Sequence, residues 1–291
     1  AVGAYALDAN TTGTHNTAVG YEALSANTTA TGNAAFGQSS LKTNTTGTSN
    51  TGLGGQALQT NSTGSSNTAV GVLALYANET ASNNTAVGFE ALRRNTTGDQ
   101  NVAVGAGAGT AVTTGLQNTL IGYLAGDALT DADYNVALGA TALGADTLGS
   151  RAVAIGRNAL SAQNFTSATD NYNVAVGFSA GAAVTTGIEN TIVGGRAGGY
   201  NSLTTATTGA NNTALGLTSL YSNTTGSLNT ANGYQSLYAN TTGAENVAIG
   251  DRAMATNTTG GNNTSIGSFA LRFNTTADNN TAVGYASLTA N

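Results

Sequence analysis

The sequence predicts an all-β fold, a parallel β-solenoid (β-roll) in which each coil is one 17-residue repeat. A glycine recurs at that step from Gly3 through Gly20, Gly37 and Gly54 to Gly156. The residues just before it alternate large, small, large, as in Val102-Ala103-Val104 and Val153-Ala154-Ile155, which is the period of a strand. No helical period runs through the chain, and the repeat is too short for a helix-turn-helix unit of about 33 residues.

The consensus reads N-T-A-V-G-Y-x-A-L-x-x-N-T-T-G-x-x, and its first complete copy starts at Asn16; positions below are numbered from that Asn. Positions 2 to 4 predict a short strand. Their alternation suggests that the larger second and fourth residues point into the coil and the small third points out. Thr at position 2, as at Thr17 and Thr68, suits a strand, and its hydroxyl can bond the next coil. Glycine at position 5 predicts a corner with a backbone angle that other residues resist. Position 8 is Ala or Ser and position 9 nearly always Leu, as at Leu24, Leu41 and Leu58, which predicts a second, leucine-lined wall. Two adjacent apolar residues do not fit alternation, so a bend or bulge is expected there. Gly109, Gly126, Gly181 and Gly198 break the leucine ladder, and in three of these coils the position-12 Asn becomes Val112, Leu129 or Val184. The pattern reads as compensation, with the wall residue moved three places along. Asn at positions 1 and 12 predicts corners that tolerate left-handed backbone and amide ladders running from coil to coil. Those ladders account for the sequon-like Asn27, Asn44, Asn61, Asn95, Asn240 and Asn257 without a sugar.

The register predicts a single solenoid segment over 1–291, cut from a longer fibre or adhesin. It is interrupted where Gly156 to Gly177 is a step of 21 and Gly194 to Gly216 a step of 22. Loop insertions are therefore expected near 163–172 and 200–210, emerging on one side. Aromatic rings beside amides and a carboxylate suit sugar faces and hydroxyls, so Asn164, Phe165, Asp170, Tyr172, Tyr200 and Asn201 are the candidate binding residues.

Only 8% of the residues are charged, against roughly a quarter in an ordinary soluble domain. Without Cys there are no disulfides or thiolate metal sites. A net charge of −6 with scattered cations argues against nucleic-acid binding, and no apolar run reaches the roughly 20 residues of a membrane span. The one histidine, His15, has no phased nucleophile, so the chain reads as no enzyme. Asp127, Asp131, Asp133 and Asp146 fall near the corners of neighbouring coils and are the candidate metal group; no cofactor is expected, with calcium the one ion these oxygens could suit.

The phrases Ser150-Arg151-Ala152-Val153-Ala154-Ile155-Gly156 and Asn246-Val247-Ala248-Ile249-Gly250 resemble the N-S-V-A-I-G head repeats of trimeric autotransporter adhesins. The Asn-Thr-Ala-Val-Gly-Tyr repeats are similar to those of phage tail-fibre and other virion fibre proteins, and the resemblance covers essentially the whole chain. It implies a left-handed roll displayed extracellularly, on a cell surface or on a virion, and serving as a structural or adhesive module toward a cell-surface glycan or protein. The coil of 17 residues is longer than the adhesins'. A strip of Ala18, Ala35, Gly52, Ala69, Ala86 and Ala103, joined by Leu120 and Ile192, is expected to face outward and pack copies into a homotrimer. The alternative function is ice binding by a threonine-rich solenoid; the adjacent pairs Thr28-Thr29, Thr45-Thr46 and Thr96-Thr97 point opposite ways and leave one outward rank.

Overall fold

The computed structural model describes residues 1–195 and 207–289 and contains parallel strands joined by turns, with no helix among the described residues. It divides into two compact units, Ala1–Thr141 and Ala142–Asn291. In the first, eight strands from β1 (Thr17–Val19) to β8 (Val136–Leu138) stack in chain order. Each residue pairs with its counterpart one repeat later, Thr17 with Ala34 and Ala18 with Ala35. In the second, β10 (Val153–Ile155), β12 (Val174–Val176) and the following strands to β18 (Thr281–Val283) stack likewise. The longer steps leave the register intact: Val153 pairs with Val174 and Thr191 with Thr213. The chain is a β-solenoid.

The strand faces are the reverse of those the alternation suggests. The middle residue is buried in every three-residue strand, whereas its two neighbours are half-buried or exposed. Ala18, Ala35, Ala69, Ala86 and Ala103 are all fully buried. The width of the coil is the cause. A Cβ at Gly52 would stand 3.5 Å from Leu41 Cγ on the opposite wall and much closer to Ser40 Oγ, so the facing wall leaves room for alanine at most and, opposite Ser40, for glycine. The strip assigned to trimer packing is therefore core.

The same width explains the exceptions. Glycine at position 9 makes room for a larger position 3 in its own or the following coil: a Cβ at Gly109 would lie 2.7 Å from Leu120 Cδ1, and one at Gly126 would lie 2.7 Å from Leu120 Cδ2 and 2.9 Å from Leu129 Cδ1. A Cβ at Gly181 would meet Ile192 Cδ1 at 3.0 Å. Val112 and Leu129 are fully buried, as the compensation reading requires. Gly198 lies outside the described residues.

Ala at position 8 and Leu at position 9 both point inward because the backbone bends sharply there. Positions 7 and 9 take left-handed angles, φ 56 at Glu22 and 52 at Leu24. Left-handed residues cost about 1–2 kcal/mol each. Here they turn successive N–H groups up and down the stack: Ser39 N donates to Tyr21 O one coil back at 2.8 Å, and Leu41 N to Ala57 O one coil on at 3.0 Å. Position 17 is left-handed too, as at His15 (φ 58) and Ser49 (φ 57). The expectation that Asn at positions 1 and 12 sits in left-handed backbone is not met, since neither position has positive φ.

Those asparagines instead build the polar half of the core. At position 1, Asn33 N donates to Asn16 Oδ1 at 2.9 Å, and Asn33 Nδ2 to Gly47 O at 2.9 Å. At position 12, Asn61 Nδ2 donates to Asn44 Oδ1 at 2.8 Å, and Asn78 Nδ2 to Asn61 Oδ1 at 2.7 Å. Both ladders satisfy amides that would otherwise be costly to bury. All six sequon-like asparagines are fully buried, so the folded coil offers no amide to a sugar. The position-12 ladder stops at Asn95, whose Oδ1 has no partner, because the next residue in line is Val112.

Candidate binding surfaces

Inward alanines leave positions 2 and 4 on the outer face of the strands. Position 4 forms a rank of exposed apolar side chains that includes Val19, Phe36, Leu53, Val104 and Leu138 in the first unit and Leu215, Ile249, Ile266 and Val283 in the second. Beside it, position 2 carries Thr51, Thr68 and Thr85 on successive strands. Threonines at position 13 behave differently: Thr45 Oγ1 donates to Ser62 O at 3.1 Å and Thr96 Oγ1 to Thr113 O at 3.1 Å, so these hydroxyls tie one coil to the next. Their neighbours at position 14, Thr29, Thr46 and Thr97, are exposed, so each adjacent pair leaves one outward rank as expected, and the half-buried threonines of position 2 form a second one. The position-2 rank was hidden in the sequence because the two faces of a strand are distinguishable there only by an assumption about which is inside.

The first insertion folds back onto its coil. Phe165 is buried, and Phe165 N donates to Asp146 Oδ1 at 3.0 Å. β11 (Thr169–Asp170) pairs in parallel with β9 (Gly149–Ser150), which returns the chain to register. Asn164, Asp170 and Tyr172 are exposed. Thr147 Oγ1 donates to Asn164 Oδ1 at 3.1 Å, Arg151 Nε pairs with Asp170 Oδ2 at 3.0 Å, and the Arg151 guanidinium stands 5.9 Å from the centre of the Tyr172 ring. The structure thus brings Asp170 and Tyr172 together and removes Phe165 from the surface. Tyr200 and Asn201 lie outside the described residues.

The four aspartates are held in separate roles. Asp146 replaces a position-12 Asn and is fully buried, taking hydrogen bonds from Gln163 Nε2 at 2.7 Å, Gly149 N at 3.1 Å and Phe165 N. Asp131 accepts from Thr114 Oγ1, and Asp133 accepts from Leu116 N at 2.8 Å. Among the described residues no three acidic or imidazole groups gather as a metal ion would need. His15 is exposed, its Nδ1 3.1 Å from Thr14 Oγ1.

Asp127 is half-buried, and burial pushes its carboxyl above the usual range, opposed in part by its own backbone N–H. The folded state therefore favours the neutral acid. Stability is fully present below the unfolded carboxylate pKa and falls as pH rises through the folded one. An Asp127→Asn variant is expected to melt above the parent near pH 7 and level with it near pH 3. Thermal melts at the two values check this, and an equal difference at both would refute the desolvation account.

Comparison of the chain with family profiles and with curated proteins finds no match to either.

Proposed function

We propose that the chain is a non-enzymatic structural and adhesive fibre module. In this reading it is displayed extracellularly, on a cell surface or on a virion, and spaces or presents a surface for a host or cell-surface glycan or protein. Copies pack side by side as a homotrimer. The observation that carries the reading is the outward apolar rank at position 4, which in the first unit includes Val19, Phe36, Leu53, Val104 and Leu138. Contiguous apolar patches beyond a few hundred Å² are rare on monomers and mark interaction surfaces. Each coil of the first unit extends this one by a further apolar side chain at about 4.8 Å. The sequence resemblance to fibre and adhesin repeats supports the same reading.

Light scattering on the chain at micromolar concentration should give a trimer. Lysine at Leu53, Val70 and Val87 together should give a monomer with an unchanged far-ultraviolet spectrum. A monomeric parent would remove side-by-side packing. A glycan and whole-cell screen tests adhesion, and binding to neither would remove that part.

One observation favours ice binding as a second reading. The threonine and apolar ranks at positions 2 and 4 lie on one strand face, two residues apart, repeated without slippage from Thr51 and Leu53 to Thr85 and Val87. An ice-recrystallisation assay separates the two: a protein that shapes ice and binds no cell is an ice binder.

A further inference from the structure

We infer that the second unit carries a site for the carboxylate of an acidic saccharide, formed by Arg252 and Arg272 around Phe269. The inference rests on the adhesive reading and names a ligand class for it. The chain has a net charge of −6 and only eight Lys and Arg residues, yet two guanidiniums meet on one ring. Arg252 Cζ lies 5.8 Å and Arg272 Cζ 5.1 Å from the Phe269 ring centre. The register makes this meeting: Arg252 and Phe269 are both at position 7 of successive coils, and Arg272 is three residues beyond Phe269. Arg252 also sits 5.3 Å from the Tyr234 ring, and Arg272 5.0 Å from that of Phe273.

Charge is incompletely matched here. Gln235 Oε1 accepts from Arg252 Nε at 3.1 Å, and Asp251 Oδ2 is 3.9 Å from Arg252 Nη1. Among the described residues no carboxylate lies within ion-pair distance of Arg272. Two cations of the first unit are paired instead, Lys42 2.7 Å from Glu22 and Arg93 3.2 Å from Glu90. A guanidinium fork takes a carboxylate through two parallel N–H groups, and cation–π attraction to the rings restrains the fork, so less side-chain freedom is lost on binding. Tyr234 and Phe273 are exposed and offer flat apolar faces to the C–H side of a sugar ring.

The test is titration of the full chain with 3′-sialyllactose and with trigalacturonate, beside lactose and 3′-sulfolactose, followed by calorimetry. The two carboxylated saccharides should bind and lactose should not. Arg252→Gln with Arg272→Gln should weaken binding at least tenfold. Both positions accept glutamine elsewhere in the repeat, at Gln56, Gln235 and Gln59, so the coil survives, and an unchanged melt confirms it. Equal binding of lactose, equal binding of 3′-sulfolactose, or an unaffected double variant overturns the carboxylate site. A parent that binds cells but neither carboxylated saccharide refutes this inference alone; one that binds neither cells nor saccharides refutes the adhesive reading with it.

Discussion

Replacing Gly71 by alanine is expected to cost roughly 3 kcal/mol or more of unfolding free energy, because backbone regions reserved for glycine already cost about 1–3 kcal/mol for any other residue. Gly71 has φ +135, and a Cβ there would stand 2.7 Å from the carbonyl carbon of Gly88 and closer still to its oxygen. Both atoms belong to the backbone of the next coil, which is fixed by Gly88 N donating to Val70 O at 2.8 Å, so neither can step aside. The neighbouring Gly55 is the control. A Cβ at Gly55 meets nothing within 4 Å, and Gly55→Ala should change stability by less than about 0.5 kcal/mol. Urea denaturation of the two variants and the parent measures the difference. Since each coil contacts only its neighbours, hydrogen exchange should show the loss of protection centred on the coils around Gly71. A Gly71→Ala variant as stable as Gly55→Ala would mean that the fifth position is glycine for another reason.

Truncating Leu120 to alanine should cost about 2–5 kcal/mol, the usual range for emptying a leucine site in a closed core. Leu120 fills the space that Gly109 and Gly126 leave where other coils carry leucine. Gly126→Leu alone should also destabilise, because Leu120 and Leu129 already occupy that volume. Combined, the two changes should be less damaging than their sum by at least about 1 kcal/mol, since one removes the obstacle to the other. The backbone at position 9 accepts leucine, with φ 53 at Leu58 and 50 at Leu75 against 56 at Gly126. Denaturation of the four members of the cycle measures the coupling, and strict additivity would separate Leu120 from its glycines.

The sequence by itself determined the period, the strand at positions 2 to 4, the special glycine at position 5, the leucine wall and the asparagine ladders. Each of these recurs at the same place in the coil, and stacking turns a sequence period directly into a column of contacts. It also contained the exchange of Leu for Gly at position 9 and Asn for Val or Leu at position 12, since both halves lie within one repeat. Which strand face is inside was decided only by the tertiary structure. Alternation is symmetric, and the preference for burying the larger residues loses to the distance between the strand and Leu41 on the facing wall, a width set by the turns joining them. That decision moved Ala18 and its fellows into the core, and put Val19, Phe36 and Leu53 outside with the threonines of position 2. It likewise fell to three-dimensional packing to draw Phe165 under its loop, to bury Asp146 in the polar ladder, and to set Arg252 and Arg272 about one ring. Residue types at fixed spacing name the column a side chain belongs to; which way it turns depends on the space that its neighbours leave.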